Sequence, residues 1–573
     1  MSLAIRLPRG LAAAALLIVA FARGGAAQHG GSEPSRPPLT HSTTPVSADE
    51  AARWRADLAH LARELPAKHK NAFHTLSRAE WDAAVRELDG RIPTLARHQI
   101  VVELMRLVAR IGDGHTSLSA YALPVAGFHA LPYRVGVYAD GIWVEGADRR
   151  YARAVGGRVL SIGGVAAGEA LRRASTLVSR DTDTWVRAVA PYLLNRAEVL
   201  HALGLADRLG AATLVVENEG ERRTIEVAAL PGPAGEGMGL PFLPRLTADW
   251  VDARDGAAAP EPLWIQDRGR SYWKEYLPEH RLLYVQFNRT AEDRQETAAG
   301  FFREMREFIE ANGVEKLVLD FRRNTGGEGF LTRHLVKEVV RATRVDQPGR
   351  LFAIIGPRTF SAGQLLANEL ERWTNVTFVG EPTGSTPNLY GNHEFVTLPH
   401  SGLAVAVAPA WFQTAEPNDR RPFTAPRVAA RLTFADYRAN RDPALEAVLA
   451  YDRRPTLARL LAEPLARGDQ DGVRRAIAAF AADPANEFLG ATGQANAAGY
   501  ELLRAGRVDH ALAVFRANVE VHPDYANGWD SLGEAFEARG LLAEAAQAYR
   551  KAVALGFAPA AERLRRVEAH GST

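Results

Sequence analysis

The sequence predicts a layered α/β core, preceded by a helical segment and a β-rich segment and followed by an all-α region. Three observations predict this order. Strand-like and helix-like runs alternate from Leu282 to Val379, which favours a sheet covered by helices. Apolar residues recur at helical spacing before Leu131, and short strand-like runs follow it. Near the C-terminus, matching residues recur 34 positions apart, which indicates a helical repeat.

The composition is that of an ordinary soluble globular protein, with 47% hydrophobic and 24% charged residues. A length of 573 residues suggests several units of about 150 residues each. Lys+Arg 69 nearly balance Asp+Glu 67, and no long basic run is present, so nucleic-acid binding is not expected. Cysteine is absent, which excludes disulfides, thiolate metal sites and cysteine nucleophiles. The 16 histidines lack paired metal-ligand spacing and the glycine-rich segments lack a P-loop ending, so we expect neither metal nor cofactor.

The N-terminus has the pattern of a secretory signal peptide. Arg6 and Arg9 precede an apolar run, and small residues follow it up to Ala27. We therefore expect cleavage near Ala27 and export to the periplasm or the extracellular space. An uncleaved anchor is the alternative, although the run is short for a membrane span. No cysteine follows, which excludes a lipoprotein anchor, and no other segment reaches transmembrane length.

The predicted boundaries follow the changes in pattern along the chain. They are a signal peptide (1–27), a flexible linker (28–48), an N-terminal helical segment (49–120), a β-rich and PDZ-like segment with loops (121–270), an α/β core (271–450) and helical repeats (451–573). In the helical segment, Ser47 and Ser77 are candidate N-caps. A third helix, over 97–111, runs into Gly112 and Gly114, which leave His115 in a turn.

The β-rich segment begins with short strands. Strands are predicted at Tyr133–Tyr138, Ile142–Val144, 158–162, 213–217 and 223–228, with helices between Ala167 and Leu203. The glycine-flanked strand at 156–164 resembles part of a PDZ-like module, which binds peptide C-termini by strand addition. The alternative is that these strands are scaffold only. Pro231 to Pro262, rich in Gly, Pro and Ala, is predicted to be a long loop.

The α/β core alternates regularly. Strands are predicted at 283–287, 316–320, 351–355 and 376–379, with helices over 299–312, 331–341 and 361–373, and two antiparallel-looking strands follow at 394–398 and 403–408. Active groups in such sheets gather at the carboxyl ends of strands, where Asp320 and the Ser361 loop stand. Ser361 lies at a strand–turn–helix junction, so it is either an N-cap or a nucleophile beside the unpaired N–H groups of a helix start.

The last region contains an internal repeat. Gly499 and Gly533 are 34 positions apart, as are Phe515 and Tyr549. The pattern fits a tetratricopeptide repeat, a protein-interaction module, with a generic helical hairpin as the alternative. The stretch 452–487 is predicted to add an earlier, degenerate helix pair.

Several stretches resemble one family. Asp320–Gly327 resembles the D-x-R-x-N-x-G-G signature of the S41 serine peptidases, which include the tail-specific proteases and the tricorn core protease. Thr359–Gly363 is similar to the nucleophile segment of that family and Val379–Thr383 to the segment after it, and Gly112–Thr116 also resembles it. The resemblance covers about 49–451 and implies a ClpP/crotonase-like α/β core with peptidase activity on peptides or unfolded proteins.

The family divides by its general base. The tail-specific branch takes a lysine just after the Gly-Glu-Pro-Thr segment, but no lysine occurs between Lys337 and Lys551. A Ser–Lys dyad is therefore excluded there. The tricorn-like branch uses a distant upstream histidine, to which His115 corresponds. That branch has a serine just before the histidine, where this chain has Gly114.

The resemblance and the chemistry of acyl transfer imply a set of roles. Ser361 is the nucleophile and His115 is the base that accepts its proton. The N–H groups of Gly327 and Ala362 form the oxyanion hole, and Glu416, with Asp419 as second candidate, orients the histidine. The residues expected to bind substrate or brace the site are Asn324, Gly326 and Gly363.

Two other functions stay open at this stage. One is a non-catalytic, S41-like protein that binds peptides or proteins, favoured by the missing lysine and by Gly114. The other is a different enzyme on the related crotonase-like core, which would need a CoA-sized cleft for which the sequence carries no signal.

Overall fold

The computed structural model describes residues 39–118, 126–231, 247, 249–454 and 456–571. The predicted signal peptide, the first part of the linker and most of the stretch 231–246 lie outside these ranges. Within the described ranges, no helix is both long and apolar enough to cross a membrane.

Between residues 39 and 118, the structure has the three predicted α-helices: α1 (Ala48–Lys68), α2 (Arg78–Arg91) and α3 (Arg97–Ala109). Ser47 and Ser77 accept backbone N–H groups at the starts of α1 and α2, which satisfies donors that a helix start leaves unpaired. α3 is buried along much of its length. It therefore holds the turn that follows it against a packed core.

The β-rich region forms an antiparallel seven-stranded sheet. Its elements are β1 (Tyr133–Tyr138), β2 (Gly141–Asp148), β3 (Arg158–Ile162), β4 (Val165–Ala166), α4 (Ala167–Ser175), α5 (Asp183–Leu193), α6 (Ala197–Ala202), β5 (Ala211–Asn218), β6 (Glu221–Ala228) and β7 (Trp250–Asp252). The strand order is β1-β2-β3-β5-β6, with β4 on β3 and β7 on β2. The expected loop from Pro231 to Pro262 thus contains a strand, because β7 pairs with the last residues of β2, Gly146–Asp148.

The α/β core is built on a six-stranded sheet. Its elements are β8 (Tyr272–Leu277), β9 (Leu282–Phe287), α7 (Ala298–Ala311), β10 (Lys316–Asp320), α8 (Thr332–Arg341), β11 (Leu351–Ile355), α9 (Ala362–Trp373) and β12 (Thr377–Gly380). The order is β17-β12-β11-β10-β9-β8, in which β17 is Val428–Ala429. All neighbours are parallel except β8 with β9. Every residue of β9 and β11 is buried, as expected for a central parallel strand.

Two hairpins and two helices complete this half. They are β13 (Asn388–Gly391), β14 (Glu394–Thr397), β15 (Ala404–Val407), β16 (Ala410–Gln413), α10 (Phe434–Arg438) and α11 (Pro443–Leu449). β13 pairs with β16 and β14 with β15. The buried residues of β14 and β15 belong to the same hydrophobic cluster as α1 to α3 and the β-rich sheet. This hairpin therefore joins the two halves of the molecule.

The described residues 456–571 form seven α-helices: α12 (Leu457–Arg467), α13 (Gln470–Ala482), α14 (Ala491–Arg504), α15 (Val508–Val521), α16 (Ala526–Ala538), α17 (Leu542–Ala554) and α18 (Ala560–Gly571). The 34-residue repeat recurs as a packing contact. A Cβ on Gly499 would lie 2.4 Å from Phe515, and a Cβ on Gly533 would lie 2.5 Å from Tyr549. Glycine is thus needed at both positions because an aromatic ring of the next helix lies against the backbone.

Candidate active site

Ser361 lies between β11 and α9, at the carboxyl end of a central strand. Its backbone has φ +52° and ψ −123°, a conformation that is costly for a residue other than glycine. It occupies the N-cap position of α9, but its side chain makes no capping hydrogen bond. The hydroxyl is therefore directed to another partner.

That partner is His115. The Nε2 of His115 lies 2.9 Å from the Ser361 Oγ, although the two residues are 246 positions apart in the chain. This distance is within the range required of a nucleophile and its general base.

An aromatic stack flanks the histidine. The rings of His115 and Phe360 stack with centroids 4.7 Å apart, and Phe360 stacks on Trp185 at 4.2 Å. A Cβ on Gly114 would lie 2.6 Å from the Phe360 ring. The absence of a side chain at Gly114 therefore gives Phe360 room to lie against His115.

The turn that carries His115 is held by polar contacts. The Asp113 Oδ1 accepts the backbone N–H groups of His115 at 2.8 Å and of Thr116 at 2.7 Å. The Thr116 hydroxyl accepts the N–H of Ala408, and residue 117 bridges to β15. The β14–β15 hairpin therefore anchors the turn from the core side.

The environment of His115 favours the neutral imidazole. Burial lowers the pKa of His115 to about 4, the charge of Asp113 opposes this and that of His393 adds to it, while a hydrogen-bonding interaction with the Tyr390 backbone raises it. Near pH 7 the ring is thus deprotonated and able to accept a proton. Its Nδ1 is buried and makes no hydrogen bond to a carboxylate among the described residues.

Close backbone contacts surround the two predicted oxyanion donors, the N–H groups of Gly327 and Ala362. A Cβ on Gly326 would lie 2.6 Å from the Ser361 Cβ and 3.0 Å from the Ala362 nitrogen. Gly327 has φ +132°, and a Cβ there would lie 2.1 Å from the Thr290 carbonyl oxygen. In the described part of the chain, neither the Gly327 N–H nor the Ala362 N–H donates a hydrogen bond. Both are available to a ligand oxygen.

Asn324 joins two segments of the site. One is the turn at Gly326 and Gly327, the glycine turn, and the other is the loop that carries Phe360 and Ser361, the serine loop. Its Oδ1 accepts the Gly326 N–H at 2.9 Å, and its carbonyl oxygen accepts the Phe360 N–H at 3.0 Å. A Cβ on Gly363 would lie 2.5 Å from that carbonyl oxygen. Asn324 and Gly363 thus contribute to the contacts between the glycine turn and the serine loop.

The prediction that Glu416 orients His115 is wrong. The Glu416 side chain is 71% exposed, and its Oε1 accepts a hydrogen bond from Arg372 at 2.7 Å. The second candidate, Asp419, pairs with Arg421. Both carboxylates lie in a surface turn after β16, whereas the Nδ1 of His115 is buried.

Sequence reasoning missed two polar residues beside the site. The Asp181 Oδ1 accepts the Gly114 N–H at 2.8 Å, and burial together with the charge of Asp113 raises the pKa of Asp181 to about 7. The Ser385 hydroxyl accepts the Ser361 N–H at 3.3 Å. Nothing local in the sequence marks Asp181, because its contact is to a backbone amide 67 positions away.

Asp320 has a structural role. It accepts hydrogen bonds from Arg322 and from the hydroxyl of Tyr284, and Arg322 also pairs with Asp442. Asp320 is fully buried, so this network supplies the partners that a buried charge requires. As for metals, the residues that the structure places contain no group of three or more side chains arranged to hold an ion.

Comparisons with known proteins give structural neighbours only. No family model matches the chain, and no curated protein matches it. Mature CPAF complexed with lactacystin is 12% identical over 70% of this chain and 98% of its own, with a TM-score of 0.49. The photosystem II D1 C-terminal processing protease is 16% identical over 70% of this chain and 97% of its own, with a TM-score of 0.33. The tricorn protease is 12% identical over 70% of this chain and 36% of its own, with a TM-score of 0.30. These values indicate a distant similarity of the backbone. They do not assign a function to this chain.

Proposed function

We propose that this protein is an exported serine peptidase of the S41 type, with Ser361 as nucleophile and His115 as general base. The observation that carries the proposal is the 2.9 Å contact between the His115 Nε2 and the Ser361 Oγ. The unused Gly327 and Ala362 N–H groups beside it add support, because acyl transfer requires donors for a developing oxyanion.

The mechanism follows from these groups. The Ser361 Oγ attacks the peptide carbonyl carbon while its proton passes to the His115 Nε2. The Gly327 and Ala362 N–H groups hold the resulting oxyanion. His115 then returns the proton to the leaving amine, which breaks the C–N bond and leaves an acyl-enzyme. Water, deprotonated by His115, hydrolyses the ester and restores the Ser361 hydroxyl.

A peptide library tests the activity. Wild-type protein should cleave peptides, and Ser361→Ala should lower kcat by roughly 10⁴-fold or more, because the covalent route is lost. Ser531→Ala is a matched control, since Ser531 is buried and its hydroxyl donates to the Asn527 carbonyl in the C-terminal helices. Full activity in Ser361→Ala would contradict the proposal.

Covalent labelling separates this function from the binding-protein alternative. A serine-reactive phosphonate should attach to Ser361 in the wild type, and mass spectrometry of the digested protein should locate it there. A protein that binds peptides without being labelled or turning them over would be an S41-like binding protein instead.

The finer assignments of the flanking regions belong to the same proposal. The C-terminal helices act as tetratricopeptide repeats that recruit a protein partner, supported by the Gly499–Phe515 and Gly533–Tyr549 contacts. The sheet from β1 to β7 is a PDZ-like module at the level of strand pattern. Removal of 456–573 should leave peptide cleavage intact and abolish co-purification of the partner from the source cell's exported fraction.

A further inference from the structure

Asp113 is a buried carboxylate placed two residues before the proposed base. Its side chain is 1% exposed. One oxygen accepts the N–H groups of His115 and Thr116. A carboxylate that accepts such bonds is stabilised in its charged form. Burial would raise the pKa of Asp113, but the hydrogen bonds that it accepts from His69 and Thr116 outweigh burial and lower it.

The second oxygen of Asp113 contacts the ring of His69. The His69 Nε2 lies 2.9 Å from the Asp113 Oδ2, and the His69 side chain is fully buried. The His69 Nδ1 accepts the Asn71 N–H at 2.9 Å, so the ring proton resides on Nε2 and is donated to Asp113. A histidine with one proton is neutral, and the pair therefore keeps the negative charge of Asp113.

Other titratable groups surround His115 on several sides. His393 faces it from the loop between β13 and β14 and lowers its pKa. Asp181 approaches through the Gly114 N–H, and burial favours its protonated form. His74 stacks behind His69. Asp113 is the charged carboxylate that acts on His115 to raise its pKa.

We propose that Asp113 is the positioning residue of the site: it fixes the His115 turn through the main chain and stabilises the imidazolium that forms when Ser361 gives up its proton. Asp113 thereby supplies the negative charge that the carboxylate of a catalytic triad supplies through direct contact with the imidazole. The hydrogen bond from His69 holds Asp113 in position. This inference rests on the proposed acyl-transfer function of Ser361 and His115.

Asp113→Asn tests the charge. Removal of the negative charge destabilises the protonated imidazole, so the pKa of His115 should fall. We expect the acid limb of the pH profile for phosphonate labelling of Ser361 to move about one pH unit lower. Labelling at pH 7 should slow by roughly tenfold, since one pKa unit corresponds to a tenfold change. Asp113→Glu, which restores the charge, should recover part of the rate.

A matched control distinguishes electrostatics from general loss of structure. Asp57 is also fully buried and accepts two backbone N–H groups, those of His400 and Ser401, each at 2.8 Å. Asp57→Asn therefore alters another buried carboxylate that holds two backbone N–H groups, in this case from helix α1 to the turn at His400 and Ser401. It should leave the acid limb unchanged, and an equal shift in this control would overturn the inference.

A direct measurement keeps the inference separate from the proposed function. The pKa of His115 can be followed by NMR in ¹³C-histidine-labelled protein, with the signal assigned by its loss in His115→Gln. The His115 pKa should be lower in Asp113→Asn than in wild type, and an unchanged value would overturn the inference whether or not Ser361 reacts. If wild-type Ser361 is not labelled by phosphonate, the proposed function fails while the NMR comparison still stands.

His69 supplies a second variant if Asp113→Asn does not fold. His69→Gln keeps an N–H donor for Asp113 and leaves its charge in place. We expect slower labelling with the acid limb within a few tenths of a pH unit of wild type, because position changes and charge does not. A limb shift as large as that expected for Asp113→Asn would contradict the separate roles given to these residues.

Discussion

The Ser361 junction and the His115 turn are the two halves of the site, and they are built in different ways. Ser361 stands between a buried strand and a helix, and its neighbours Asn324 and Gly326 belong to the same sheet edge. His115 stands in an irregular turn held by side-chain carboxylates and by a hairpin from the other half. Regular secondary structure positions the nucleophile, whereas local and long-range polar contacts position the base.

The largest effect is expected from a substitution at Gly326, the glycine that lies against Ser361. Gly326→Ala places a methyl group 2.6 Å from the Ser361 Cβ at a residue with φ +108°. We expect kcat to fall by roughly 10³-fold, comparable with loss of an oxyanion donor. Peptide turnover and phosphonate labelling should fall together.

Gly329→Ala is the control for that change. Its Cβ would meet only the Leu365 Cδ1, at 3.3 Å, the end of a flexible side chain. Activity should stay within about twofold of wild type, since a small surface change of this kind has little effect. A Gly326→Ala protein with normal turnover would show that the glycine turn is not part of the site.

The next effect tests the histidine side. Gly114→Ser introduces a side chain whose Cβ would meet the Phe360 ring at 2.6 Å. We expect kcat to fall by about 10- to 100-fold, because displacement of Phe360 moves the ring of His115 and a small misplacement is costly. The double variant Gly114→Ser, Phe360→Leu should recover part of the loss. Gly168→Ser, at a glycine with open space around it, serves as control.

The pH profile gives a further check of the base. His115 can accept the serine proton only when it is neutral, and burial lowers its pKa to about 4. The rate should therefore be retained below pH 6.5 and be lost as the pH falls through about 4. An acid limb at the ordinary histidine value of about 6.5 would show that His115 is solvated in the active protein.

The smallest expected effect concerns the rejected acid. Glu416→Gln removes an exposed pair with Arg372. We expect kcat to remain within about twofold and stability within about 0.5 kcal/mol of wild type, because exposed ion pairs contribute little. A loss of activity as large as that of Gly114→Ser would restore Glu416 to the site.

The same contrast explains how much the sequence could predict. The strands and helices around Ser361 were predictable because apolar periodicity and glycine placement are local signals. The role of His115 as general base could be predicted only through the family resemblance of Gly112–Thr116. Glu416 was misassigned and Asp181 was missed because their positions depend on how distant segments fold together. β7 was missed because a three-residue edge strand carries too little periodicity to detect.

The contacts of Asn324 have a consequence for control of the site. They connect the serine loop, the glycine turn and the first turn of α9 into one unit. The base arrives on a separate unit, attached through the β14–β15 hairpin. A slight parting of the two units would lengthen a single proton-transfer path and leave the oxyanion cradle assembled. Activity could thus be interrupted at the contact between Ser361 and His115 while the oxyanion donors stay in place.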